Sequence, residues 1–180
     1  MTLLDDLKFV DPAQDLWIAP KGSIVDGASI PQPFWSIIGG PFEGLYRDAS
    51  VIHDVACDER KKHWWAVHEV FYFGMRARGV NAIQAKVMYA AVYHFGPRWP
   101  FKLLIPGPPK SPMERPVYQV PPPHALDMNG FEELRKLIEA REIQGQAMTL
   151  AEISFFGAAS KSGSQLVAEP DFLRKLSGRE

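Results

Sequence analysis

The chain has 180 residues, one cysteine and a formal net charge of −1. That length suits one compact domain with an appendage, and acids and bases mixed through both halves disfavour electrostatic capture of nucleic acid or of an anionic membrane. A lone Cys57 excludes an intramolecular disulfide, and the opening "MTLLDDLKFV" reads as neither a signal peptide nor a membrane span, so the chain is expected to be made and kept in a reducing cytoplasm, or packaged from it.

In chain order, "DLWIAPKGSIVDGASIP" reads as two short strands joined by a Pro20-Lys21-Gly22 turn, with Trp17 and Ile18 before it and Ile24 and Val25 after it. Asp26-Gly27 breaks the second strand: the glycine tolerates positive φ and the aspartate is a good local acceptor. Pro31 and Pro33 stop any helix, and "GGPFEG" is a loop. Three helices follow. The first spans about Leu45 to Cys57, with Leu45, Ala49, Ile52 and Ala56 on one face; Cys57 reads as a small buried apolar residue. Asp58 to Lys62 form a solvated turn. The second spans about His63 to Arg78, striped by Trp64, Val67, Phe71 and Met75 and stopped by Gly79. The third starts at Asn81, with Gln84 completing a capping pair, and ends at Gly96-Pro97.

From Pro97 to Pro123 the composition changes to proline-rich, which predicts an extended strap whose apolar first part (Trp99, Phe101, Leu103, Leu104, Ile105) packs on the core. Beyond it, Asn129 and Glu132 cap a helix to about Gln144. Thr149 and Glu152 cap a shorter one, and "PDFLRKL" forms a last turn. These pieces carry too few apolar residues for a core of their own, so they dock on the domain or bind a partner. Deleting them from about Ala125 is expected to leave the core folded.

The chemistry-bearing residues cluster early. On the first helix His53 lies beside the apolar face and Asp54 points away from it, so the two neighbours cannot pair with each other. On the second helix His68 falls inside the apolar stripe, while Glu69 points to the flank with Trp65 and Arg76. If the two helices pack antiparallel about a turn near residue 60, His53 and His68 come level. Buried imidazoles need partners for their N–H groups, and burial disfavours the cation. The pair would then bond to each other as neutral tautomers, share a carboxylate such as Asp26, or bind a metal.

Each residue also has a plain reading. His68 is a core histidine with its hydrogen bonds satisfied, Asp26 a turn residue, Ser29 a local capping hydroxyl, and Trp64 core cover. His63 and His94, near helix ends, are exposed or stabilised by the helix dipole. Ser29 lacks a nucleophile-elbow context. No standard zinc spacing, EF-hand loop, P-loop or dinucleotide fingerprint is present.

The blocks "APKGSIVDGASIPQPFW", "ASVIHDVAC", "FYFGMRARGV" and "KVMYAAVYHFG" resemble DUF1353, a family of small proteins of unassigned function from bacteria and their tailed phages and prophages. The resemblance covers roughly residues 9 to 100. The family pattern has an aromatic residue three places after the HD aspartate, where this chain has Cys57. It also has an aspartate three places before the phenylalanine corresponding to Phe71, where this chain has His68. The family arrangement is in turn similar to that of phospholipase A2: a loop, a helical HD, and a carboxylate on an antiparallel helix. That likeness implies His53 as general base on water and Asp54 as a metal ligand. This chain departs from it in lacking a glycine-rich calcium loop and a carboxylate at 68.

The expected fold is α+β: a small antiparallel β element packed on a three-helix core. The expected divisions are a core domain over 1–100, a proline-rich strap over 101–123, and a helical tail over 124–180. Two functions compete. One is a phage- or prophage-related accessory or structural protein, its tail binding a protein partner such as a phage structural protein, with the DGASIP/HD region as a structural corner. The other is a hydrolase in which His53, Asp54, Asp26 and His68 form the catalytic group. In that reading Ser29 and Trp64 contact substrate, and a divalent metal (calcium or zinc) is held by Asp54 and Asp26.

Overall fold

A computed structural model describes residues 1–26, 44–102, 118–119 and 126–157. The fold is α+β: helices pack around a small antiparallel hairpin of β1 (Leu7–Val10) and β2 (Leu16–Ala19). The helices are α1 (Arg47–Glu59), α2 (Trp64–Ala77), α3 (Ala82–Phe95), α4 (Met128–Ile143) and α5 (Leu150–Phe155). A second short pair joins β3 (Phe101–Lys102) to β4 (Tyr118–Gln119). Among the described residues no helix is long and apolar enough to cross a membrane.

The hairpin differs from the one expected. β2 pairs with β1, with Phe9 opposite Trp17, and the chain reverses at Asp11 to Asp15. Asp11 organises that reversal: its carboxylate accepts from the Asp15 amide at 3.0 Å and from the Trp17 indole at 2.9 Å. The Pro20–Gly22 turn forms, with the Ser23 amide donating to the Pro20 carbonyl, but Ile24 beyond it makes a single bridge to Thr2. "LKFV" carried the alternation that marks β1, with Leu7 and Phe9 on one face and Lys8 and Val10 on the other.

Helix α1 is preceded by a 3-10 turn over Gly44–Tyr46 and ends at Arg60, whose left-handed conformation (φ 51°) closes the helix. Helix α2 returns antiparallel to it. At their crossing a Cβ built on Gly74 would stand 3.0 Å from the Ala49 Cβ, so glycine sets the distance between the helices. Asn81 caps α3 by accepting from the Gln84 amide at 2.8 Å, as its spacing predicted.

Two apolar clusters form. Trp17, Val51, Val55, Trp64, Val67 and Trp99 pack beneath the hairpin. Phe71, Met75, Met88 and Tyr89 belong to the other cluster, together with Phe131, Leu134, Ile138 and Ile153 from α4 and α5. The described tail helices therefore lie in the same core as α3. Polar ties reinforce this. Lys86 meets Glu142 at 2.7 Å, Tyr89 meets Ser154 at 2.7 Å, and His94 Nε2 donates to the Ile153 carbonyl at 2.8 Å. His94 is buried, not exposed at a helix end, because α5 covers it. The cap of α4 is Asp127, which accepts from the Gly130 amide, and not Asn129. Thr149 and Glu152 form the expected capping box on α5. The "PDFLRKL" stretch lies outside the described residues, as does most of the proline-rich segment.

Candidate functional site

His53 and His68 meet because helical spacing places each on the face its helix turns toward the other. His53 Nε2 and His68 Nδ1 are 2.9 Å apart, and both side chains are fully buried. The protons can be assigned from the far end of the chain of bonds. His68 Nε2 lies 3.2 Å from the Pro97 carbonyl, which can only accept, so this nitrogen carries hydrogen. With the His68 ring neutral, its Nδ1 is then the acceptor and His53 Nε2–H donates to it. The result is a directed relay: His53 on α1, His68 on α2, and the carbonyl of Pro97 just beyond α3.

The segment holding that carbonyl is itself fastened around the start of α2 and to α3. The Trp99 indole donates to the Lys62 carbonyl at 3.0 Å. The Arg98 guanidinium lies over the Trp64 ring at 4.6 Å and donates to the Tyr93 carbonyl at 2.6 Å. Gly96 sits against the relay. A Cβ built there would come 2.3 Å from the Val92 carbonyl oxygen and 3.1 Å from the His68 ring, so only glycine fits without displacement.

Burial pushes the His53 imidazole down from its ordinary value of 6.5 to about 4, with the Asp54 charge pulling the other way. His53 is thus neutral at pH 7, as the relay requires. The Phe71 ring packs on it at 5.0 Å. Cys57 Sγ lies 3.7 Å from its Nε2 and 4.0 Å from its Nδ1. Nearly equal distances to both nitrogens put the sulfur beside the ring rather than in line with either lone pair. Among the described residues no group of three or more His, Cys, Asp or Glu side chains could hold a metal ion.

Asp54 diverges from His53, as adjacent helical positions must. It is buried at 5 % exposure, and its carboxylate accepts from the Asp26 amide at 3.2 Å. The motif aspartate therefore grips the backbone amide just after Val25. The Asp26 side chain is exposed. Asp58, one turn along from Asp54, shares their field: burial, then the charges of Asp54 and Asp26, push its carboxyl up against the pull of Arg60. On α2, Glu69 is raised to about 7, first by burial and then by the charge of Asp11.

The structure thus divides the candidate residues into two joined pairs, His53 with His68 and Asp54 with Asp26. Trp64 is buried, edge-on to His68 and 5.2 Å from Tyr93. Ser29 lies outside the described residues. Sequence reasoning missed Pro97, Gly96 and Cys57 as members of the site. Cys57 was findable, since it follows His53 by one helical turn. The Pro97 carbonyl was not, because a backbone acceptor leaves no residue signature.

Residues 1–92 match the family described as "Protein of unknown function (DUF1353)", and the chain belongs to that family. Two relatives are both from Sinorhizobium fredii (strain NBRC 101917 / NGR234). "Uncharacterized protein y4jT" is 55% identical over 97 residues, covering 54% of this chain and 29% of that protein. "Uncharacterized protein y4iH" is 35% identical over 160 residues, covering 82% of this chain and 66% of that protein. The chain thus spans less than two thirds of the length of either. No solved structure matches it.

Proposed function

We propose that the chain is a non-enzymatic accessory or structural protein of phage or prophage type, in which the HD motif is a folding lock. His53 ties three segments together through the relay, and Asp54 holds the backbone at Asp26. The observation that carries this reading is the state of His53: fully buried, with its Nε2–H spent on His68 and its conjugate acid near 4. A general base works best with a pKa close to the working pH and with access to the water it activates. His53 meets neither condition. The phage or prophage setting rests on the motif resemblance alone.

The test pairs folding with turnover. Wild type, His53→Gln and Asp54→Asn are melted and assayed for lipid, peptide and glycan hydrolysis. Lowered stability in both variants, with no wild-type turnover above a heat-killed control, is expected. Turnover that either substitution abolishes at unchanged melting temperature would overturn the reading in favour of a hydrolase.

A further inference from the structure

The hairpin has two edges, and a groove lies along each. The groove on one side takes its strand residues from β1, the groove on the other side from β2. Which backbone groups face outward follows from the register. The Asp11 amide donates to the Asp15 carbonyl at 3.1 Å, so these two form a hydrogen-bonded pair. Alternation along an antiparallel ladder makes Phe9–Trp17 and Leu7–Ala19 the next two such pairs. Leu16 and Ile18 therefore turn their N–H and C=O groups away from β1. Among the described residues neither makes a backbone hydrogen bond to any other segment.

Strand edges left open are ordinarily guarded by charge, lysine above all. β1 carries Lys8, whereas β2, "LWIA", has no charged residue. Its outward side chains are apolar, with Leu16 53% and Ile18 42% exposed. The groove beside it holds about 350 Å³, and its far wall is α1, where Ile52 is buried and the small Ala56 leaves room for an incoming side chain. The rim charges are matched within the chain: Lys61 meets Glu59 at 2.8 Å and Lys62 meets Asp15 at 2.9 Å. A charged side chain entering here finds no free counter-charge, and an uncharged one disturbs neither pair.

We propose that the free edge of β2 takes up an uncharged, extended segment of a partner protein as a third strand, its inward side chains resting on Ile52 and Ala56. This goes beyond the folding-lock reading and does not depend on it. The backbone pattern sets the class of occupant, because alternating outward N–H and C=O groups beside a helix are met by another strand. A second copy of this chain is the poorer occupant. The inward side chains of its own β2, Trp17 and Ala19, are already buried in its core and cannot enter the groove.

The test is NMR titration of the nitrogen-15-labelled full chain with the probe peptide acetyl-Thr-Val-Thr-Val-Thr-amide. Saturable one-to-one binding is expected, with the Leu16 and Ile18 amides shifting and becoming protected from exchange. In the proposed pairing the threonine amides face β2 and the valine amides face solvent. N-methylation of the central threonine should therefore weaken binding roughly tenfold, the loss of about one hydrogen bond, whereas N-methylation of a valine should leave it nearly unchanged. Ile18→Pro removes an edge donor without touching the ladder to β1 and should weaken binding by a similar factor, with a melting curve to confirm the fold. Lys8→Gln, on the opposite edge, should have no effect. Absence of saturable binding, binding that leaves the Leu16 and Ile18 amides unmoved, or equal losses from the two N-methylated peptides would overturn the proposal. So would protection of those two amides in the free protein that grows with its concentration, which would give the edge to a second copy.

Discussion

Replacing His53 by glutamine, and following stability with pH, isolates the buried imidazole. Gln keeps an N–H that can reach His68 but cannot titrate between pH 4 and 8. At pH 7.5 the variant loses ring packing against Phe71 and some bond geometry, a cost of about 2 kcal/mol. The sign of the pH effect follows from where the proton binds. His53 has an ordinary value of 6.5 in the unfolded chain and about 4 in the fold. Between those values the unfolded state takes up a proton that the folded state refuses. Its stabilisation is therefore complete above pH 6.5 and drains away as pH falls toward 4. At ~1.4 kcal/mol per pH unit, the gap amounts to about 3 kcal/mol. Glu69 works in the opposite sense. Its carboxyl is raised from 4.5 to about 7 in the fold, so folding gains as pH falls through that window. Wild type alone would therefore show a shallow profile from these two groups. Glu69 is present in both proteins and cancels in the difference. Urea unfolding at half-unit intervals from pH 4 to 8 should show the wild-type advantage shrinking to zero and then reversing. A difference that stays constant with pH, or grows on acidification, would refute the reasoning.

Four further outcomes follow from the same geometry. Glu69→Gln should raise stability at pH 7.5 by roughly 1–3 kcal/mol and have little effect at pH 4, because the folded state already prefers the neutral form; denaturant melts at the two pH values check it. Gly96→Ala should cost about 2–4 kcal/mol, since the methyl must displace either the Val92 carbonyl or the His68 ring; a loss below 1 kcal/mol would mean that the relay tolerates the shift. Asp54→Ala should cost about 1–3 kcal/mol and speed hydrogen exchange at the Asp26 amide, which loses its acceptor; unchanged exchange there would contradict the grip on that amide. Truncation after residue 125 should leave a chain that fails to unfold cooperatively in calorimetry, because it strips Phe131, Leu134, Ile138 and Ile153 from the core.

That last outcome revises the expectation drawn from composition, that the core would survive without its tail. The tail has few apolar residues, but those few fall on the faces turned toward α3, and a residue count does not show that. The meeting of His53 with His68 was legible, because helical period and a short connection fix which side chains come level. The divergence of His53 from Asp54 was legible for the same reason. What Asp54 holds was not, since its partner is the amide of Asp26 and every residue except proline offers one. The hairpin was misassigned because Pro20-Lys21-Gly22 is a strong turn signal, whereas the Asp11 side chain that closes the true reversal works through tertiary geometry. His94 looked like a residue at a helix end, and only the return of α5 over α3 buries it.

The central claim is that His53 serves the fold as a neutral donor. Nitrogen-15 NMR of the imidazoles, titrated from pH 8 to 4 with His53→Gln used for assignment, tests it most directly. The expected result is a His53 ring that carries its hydrogen on Nε2 at neutral pH and shows no protonation until pH falls below about 5. A His53 ring that titrates near its ordinary 6.5, or that carries its hydrogen on Nδ1 with Nε2 bare, would contradict the relay and return the imidazole to the list of available bases.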